Sequence, residues 1–438
     1  MTKKVFLLFL LACVFVSCKK DKKNEPEPEI KPEPEEITKS YSNKIILKDA
    51  KATDDNVELS WSELDTINFL QYTIVRRDQA TGNYLNIHQS RDQKTTKFTD
   101  VDLPYSPEVK YQVIGQLHTG ALISSNVITY LRPDIKPLNI TPFDVIFDKD
   151  EHSLYLFEKN GKISIYDLQK KEITKTINTS ATIGYCDIAI YKNKKELYVP
   201  RNDGWIFIYD ANTLEKISQI STGLASSCIV FNSNKLFVST AAWTNRPIKV
   251  YDRATGQKIS ETGDFELTRF KKIPNSNTEL LEITINIGPV DQDYYKFNTD
   301  GSISQHMQDR YHGDYPLDAG IFEIFPDGSK YITSSMGSIY TKNLTYVTSL
   351  PRGNLYFSAF ALNQNNQLIY AGCQTKNIEV YSMSDYEHKK TIKTKAYPFR
   401  LFEDGNKIIS VSSISAYSSP YGYSENPSNI VIESLDKN

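Results

Sequence analysis

Hydrophobic and polar positions alternate in short bursts along most of the chain. The clearest burst is Glu196 to Asp210, ELYVPRNDGWIFIYD, where the β-formers Tyr198, Ile206, Ile208 and Tyr209 flank Asn202-Asp203-Gly204. Asn, Asp and Gly tolerate the backbone of a tight turn, so the pattern predicts a strand, a turn and a second strand ending in Tyr-Asp. The same phrase occurs one period earlier as SLYLFEKNGKISIYD (Ser153 to Asp167) and one period later as KLFVSTAAWTNRPIKVYD (Lys235 to Asp252). The Tyr-Asp ends fall at Tyr166, Tyr209 and Tyr251, 43 and then 42 residues apart. The corresponding strand ends continue at Phe297, Tyr340, Tyr381 and about Ile432, at intervals of 46, 43, 41 and 51 residues. A period of this size marks an array of small sheets.

Each unit opens with a short apolar stretch: FDVIFD, CDIAIY, SCIVF, TRFKKI, IFEIF, SAFAL and FRLFE. Such stretches suit the wall of a central shaft. Units also carry a polar, alternating segment such as EITKTIN, LEKISQIS, GQKISETG or HKKTIKT, which suits an outer edge guarded by Lys and Thr. Seven units of this kind predict a seven-bladed β-propeller over residues 133–438. The last unit stops at NIVIESL with no room for a fourth strand, so residues near Ile135 to Ile140 are expected to fill that edge and close the ring. No unit shows a 3.6-residue period, which excludes an α-solenoid.

Upstream, residues 41–132 read as seven short strands, with clear alternation in Val57-Leu59-Trp61 and Tyr72-Ile74. Seven strands in such a span predict a β-sandwich. The stretch resembles a fibronectin type III domain, with Trp61 where that family keeps its strand-B tryptophan and Tyr111 where it keeps its strand-F tyrosine. The resemblance implies a spacer, and the whole fold class is all-β: a fibronectin type III-like β-sandwich followed by a seven-bladed β-propeller.

Composition agrees: the 438 residues are 12% aromatic, with 28 Tyr and only 4 Met. The formal net charge of −2 gives no basic excess, so no nucleic-acid partner is expected. Cys186, Cys228 and Cys373 are an odd, widely spaced set and read as small buried hydrophobes rather than a disulfide framework. The six His show no ligand-like spacing, and Asp291 and Asp293 read as a solvated turn, so no metal is expected.

At the N-terminus, Lys3-Lys4 precede the apolar run Val5 to Val16, which is shorter than the roughly 20 residues of a bilayer span. Val16-Ser17-Cys18 ends it. The layout resembles a bacterial lipoprotein signal, which implies a signal peptide over 1–17, lipidation at Cys18 and a membrane contact through that anchor. The Lys-, Glu- and Pro-rich linker 18–40 favours an extended stalk. Its charge next to Cys18 resembles the surface-export signal of Bacteroidota lipoproteins, which implies an outer-membrane, outward-facing address.

The array itself resembles the YVTN family of surface-layer-type propellers and the wider quinoprotein-dehydrogenase-like superfamily, through LYVP (Leu197 to Pro200) and LFVS (Leu236 to Ser239). The tryptophan-rich pattern of the quinone enzymes is missing, and no cofactor is expected. In a propeller, the loops between second and third strands and those between blades crowd one axial face. They hold Trp205, Trp243, Tyr417, Tyr421 and Tyr423, and Tyr185, Tyr311, His312, Tyr315, Tyr356 and Tyr397, with Arg201, Arg246, Arg310, Arg352 and Arg400 beside them. Rings with polar tips beside guanidinium forks serve sugar stacking or protein docking. The expected function is therefore non-catalytic recognition of a glycan or protein partner by a monomer. The alternatives are an envelope scaffold, or a carbohydrate-active enzyme. For the enzyme, Asp144 and Asp187 are the candidate acids, since they begin what read as equivalent inner strands.

Overall fold

A computed structural model describes residues 43–438 apart from 54–55, 79–83, 366, 418–426, 428 and 438. The expected leader 1–17, the linker 18–40 with Cys18, and Tyr421 and Tyr423 lie outside the described residues. Regular structure among the described residues is all strand. No helix there is long and apolar enough to cross a membrane.

Residues 43–131 form two antiparallel sheets. One joins Lys51–Ala52, Val57–Ser60 and Lys97–Asp100; the other runs Tyr84–Ser90, Phe69–Asp78, Glu108–Leu117, Leu122–Ser124, with Ile128–Leu131 also on Glu108–Leu117. Alternation dictates the faces: Val57 and Leu59, and Val109, Tyr111 and Val113, turn inward and meet Trp61 and Tyr72 in one core. Trp61 meets Tyr72 edge-on at 5.7 Å. Tyr111 gives its hydroxyl to Asp100 at 2.8 Å, and Arg76 pairs with the same carboxylate at 2.9 Å.

From Pro142 onward, six four-stranded antiparallel sheets and a final three-stranded one are described, each built of strands in simple chain order. They cover residues 142–178, 187–221, 226–262, 268–308, 322–349, 357–393 and 397–436, here the first to seventh sheets. The burial gradient explains the sequence pattern. Second strands such as Ser153–Glu158 are buried at every position, because neighbouring sheets cover both faces. Fourth strands such as Glu172–Asn178 and His388–Lys393 are largely exposed, which is why they are rich in Lys and Thr. The turn residues act as read: Gly161 has φ 90°, and a Cβ there would lie 2.3 Å from the Ala181 carbonyl oxygen.

The seventh sheet ends on Ile430–Asp436, and Leu138 pairs with Ile430 there through two backbone hydrogen bonds of 2.8 and 2.9 Å. One residue of the expected closing segment 135–140 thus bridges to that edge. Apolar clusters then run from sheet to sheet, including one that joins Leu154 and Val145 of the first to Val411 and Ile430 of the seventh. The two parts of the chain also touch: Lys376 of the sixth sheet bonds Asp102 at 2.7 Å. Cys186, Cys228 and Cys373 are free and buried, and burial pushes the Cys228 and Cys373 thiols up to about 12.

Candidate functional site

The first strand of every one of these sheets contributes to a single cavity of about 500 Å³. Its wall carries both charge signs: Asp144, Asp187, Glu323 and Glu403 against Arg269, Lys271, Lys272 and Arg400.

Asp144 is the centre of the charged end. It is 3% exposed. Its Oδ1 accepts from Arg269 Nη2 at 3.0 Å and from Arg400 Nε at 3.2 Å. Arg269 also donates to the carbonyls of Ala319 and Gly320, and Arg400 to those of Phe399 and Phe143. Burial pushes the Asp144 pKa up, but the two guanidiniums outweigh it and hold the acid below its ordinary range. Such a carboxylate is a fixed anion, not a proton donor.

Tyr185 reaches this cluster through a local backbone device. Gly184 lets the chain lie flat against the third sheet, where a Cβ would stand 2.1 Å from the Ser227 carbonyl oxygen. Tyr185 N then bonds Ser227 O at 2.8 Å and Ile229 N bonds Tyr185 O at 3.0 Å, in parallel with Cys228. The Arg269 guanidinium stacks 4.2 Å from the Tyr185 ring, which meets Phe143 edge-on at 5.4 Å. Lys159 Nζ stands 4.0 Å over the Phe143 ring. Asp318 borders the same guanidiniums. Its Oδ1 accepts from Gly320 N at 2.7 Å, while its Oδ2 is buried with no hydrogen-bond partner. Burial pushes its pKa up to about 6, against the pull of Arg400 and Arg269.

Asp187 does not stand level with Asp144. Ser153 pairs with Asp167 and Glu196 with Asp210, which aligns the first two sheets. On that alignment Asp187, opposite Tyr198, is level with Ile146, opposite Tyr155, and Asp144 lies two residues before that level. The two acids therefore do not form the matched pair expected of equivalent strand starts. Asp187 is bound instead by Lys272 at 3.0 Å and by Phe231 N at 2.7 Å. Both acids are held as ion-pair partners, which is poor provision for acid–base work.

The remaining candidates divide. Tyr185 and Arg400 join the cluster. Tyr397 begins the inner strand of the seventh sheet, with Lys376 Nζ 5.5 Å over its ring. Trp205 begins a strand and is half-buried, and Trp243 is 83% exposed. Tyr311 and Tyr315 pack into the fifth sheet: Tyr315 stacks on Tyr346 at 3.6 Å, and Tyr346 N donates to the Tyr311 hydroxyl. Arg201 is buried, bound to Asp203 and Thr179 O and stacked 3.7 Å from Phe207. His312 is exposed beside Asp291, its Nδ1 4.0 Å from Oδ2. The expected solvated turn is corrected: Gln292–Phe297 is a strand and Asp293 is wholly buried, because its neighbours pair across the sheet.

Sequence reading passed over Arg269, Asp318 and Lys159. Arg269 had a usable signal, since Arg269 and Lys271 are cations two apart in a strand meant to face a shaft. Asp318 sits in a connecting turn and had none.

No family model and no curated protein matches the chain. Among solved structures it is similar to the crystal structure of the RRP9 WD40 repeats, at 11% identity and TM-score 0.51, over 69% of this chain and 96% of that one. It is also similar to Kuenenia stuttgartiensis hydrazine synthase, at 14% identity and TM-score 0.50, over 70% and 99%. A third neighbour is the structure of U3-55K, at 12% identity and TM-score 0.50, over 68% and 97%. These likenesses and the repeated four-stranded sheets make the array a β-propeller.

Proposed function

We propose that this chain is a lipid-anchored, surface-exposed binding protein: a Cys18 anchor and stalk, a fibronectin type III-like spacer over 41–132, and a seven-bladed propeller over 133–438. Seven successive sheets, the Leu138–Ile430 edge and a cavity walled by all seven first strands support the blade count. The two-sheet core around Trp61 and Tyr111 supports the spacer. At 11% and 14% identity these neighbours speak to the fold and not to a role. The choice rests on the side chains.

The observation that carries the binding reading is the cluster at the shaft. It offers two guanidiniums fixed by carbonyls and by Asp144, the rings of Tyr185 and Phe143, and the unpartnered Oδ2 of Asp318. Tyr185, Asp144 and the two guanidiniums line a cavity within the roughly 300–1,000 Å³ range of small-ligand sites, with Phe143 and Asp318 set behind them. A glycan fits that chemistry best, and a protein partner presenting a polar loop is the other occupant.

A glycan array probed with the purified chain tests this, with Tyr185→Ala as the control. Binding by the parent and its loss in Tyr185→Ala is the expected result. Binding that survives the substitution moves recognition away from the shaft, and capture of a protein by cross-linking with no glycan signal selects the other partner. For the address, a Cys18→Ser chain that still takes up labelled fatty acid in cells would defeat the anchor.

A further inference from the structure

The seam between the third and fourth sheets holds a second buried acid cluster, and it is built differently. Glu282 and Asp293 are direct partners on adjacent strands. Their side chains therefore leave the same face of the sheet, with Cβ atoms about 4.5–5.5 Å apart. Glu282 is 1% exposed and Asp293 0%. Tyr295 gives its hydroxyl to Asp293 Oδ2 at 2.8 Å. His306, on the outer strand, brings Nε2 to the same oxygen at 3.0 Å, with its ring stacked 4.5 Å from Tyr295. Asp264, exposed on the connection between the two sheets, borders the cluster and is steadied by Gln308 at 2.6 Å.

Three carboxylate oxygens there are buried without a hydrogen-bond partner: Asp293 Oδ1 and both oxygens of Glu282. The Thr268 and Tyr295 hydroxyls lie beside Glu282, but their closest hydrogen bonds run to Ser239 Oγ at 2.8 Å and to Asp293 Oδ2 at 2.8 Å. Buried carboxylate oxygens without a donor call for a cation or a shared proton. A proton quiets one acid but leaves the other oxygens unserved. A metal ion serves several at once.

We propose that Asp264, Asp293 and His306, with Glu282 opposite Asp293, bind one divalent first-row transition-metal ion between the third and fourth sheets. One ligand atom each from Asp264, Asp293 and His306 lies within 4.8 Å of the other two. Ligands across an ion with bonds of about 2.0–2.2 Å stand roughly 4 Å apart, so small movements close the shell. An imidazole among carboxylates suits Zn²⁺ or Mn²⁺, whereas Ca²⁺ takes oxygen alone. The Asp291, Asp309 and His312 group on the same sheet is weaker ground. None of its carboxylate oxygens is buried without a partner, whereas Asp293 Oδ1 is.

The test is calorimetric titration of the chelator-stripped, dialysed full chain with ZnCl₂, MnCl₂ and CaCl₂ at neutral pH. One equivalent of Zn²⁺ or Mn²⁺ binds with a rise in Tm, and Ca²⁺ does not compete. Asp293→Asn and His306→Gln each weaken binding by more than the roughly 10–100-fold that loss of an outer-sphere partner costs. Glu282→Gln keeps the shape but cannot become an anionic ligand, so it folds, holds or raises the metal-free Tm, and still loses affinity. No one-to-one binding of either transition metal overturns the proposal, as does binding that Glu282→Gln and His306→Gln leave unchanged.

Discussion

Asp144 and Glu282 are almost equally sealed from water, 3% and 1% exposed, yet their surroundings are opposite in sign. Asp144 has Arg269 and Arg400 within hydrogen-bonding distance, and its pKa falls. Glu282 has Asp293 and Asp264, and its pKa rises to about 8. Burial acts identically on both, so the difference comes from the company each keeps. In the shaft, charge is balanced within the protein and the residues are fixed in place. In the seam, Asp293 has His306 at 3.0 Å, while no cationic side chain bonds Glu282.

The largest effect expected from this contrast is at Arg269. Arg269→Met strips Asp144 of one guanidinium and leaves the carbonyls of Ala319 and Gly320 without that donor. Breaking a buried pair this way costs about 3–5 kcal/mol, read by urea denaturation at neutral pH. A loss below about 1 kcal/mol would mean that Arg400 alone balances the shaft acid, and the comparison would fail on that side.

Glu282→Gln should move stability the other way in the metal-free chain. Glu282 keeps its proton to about pH 8 when folded, against an ordinary value of 4.5. Folding thus takes up a proton between those values, and stability drops as pH rises from 4.5 through 8. The Gln variant escapes that drop, gaining on the order of 2–4 kcal/mol at pH 8 and nothing below pH 4.5. Parallel pH profiles for parent and variant would show that the acid is relieved by other means.

The smallest structural effect belongs to Trp243→Ala. At 83% exposure the ring supports little, and stability should stay within about 0.5 kcal/mol. Against that quiet background, a drop in ligand capture extends the recognition surface from the shaft out to the loops. Unchanged capture confines it to the Tyr185 cluster.

The strands, the period and the polar outer edges were legible in the sequence, because β-propensity and turn chemistry are local. Asn202-Asp203-Gly204 turns the chain where it stands, and Glu172–Asn178 is polar because its outer edge faces water. Even the closing segment could be read, from a unit one strand short. Which charges meet was another matter. Asp144 finds Arg269 at a separation of 125 residues and Arg400 at 256, only after the sheets have come together. A two-residue offset in register separates Asp187 from the level of Asp144, and a turn of no distinction carries Asp318 to the guanidiniums. Asp293 read as part of a solvated turn, and only the sheet pairing buried it opposite Glu282. Charge interaction depends on distance and on exclusion of water, and the folded arrangement alone determines both.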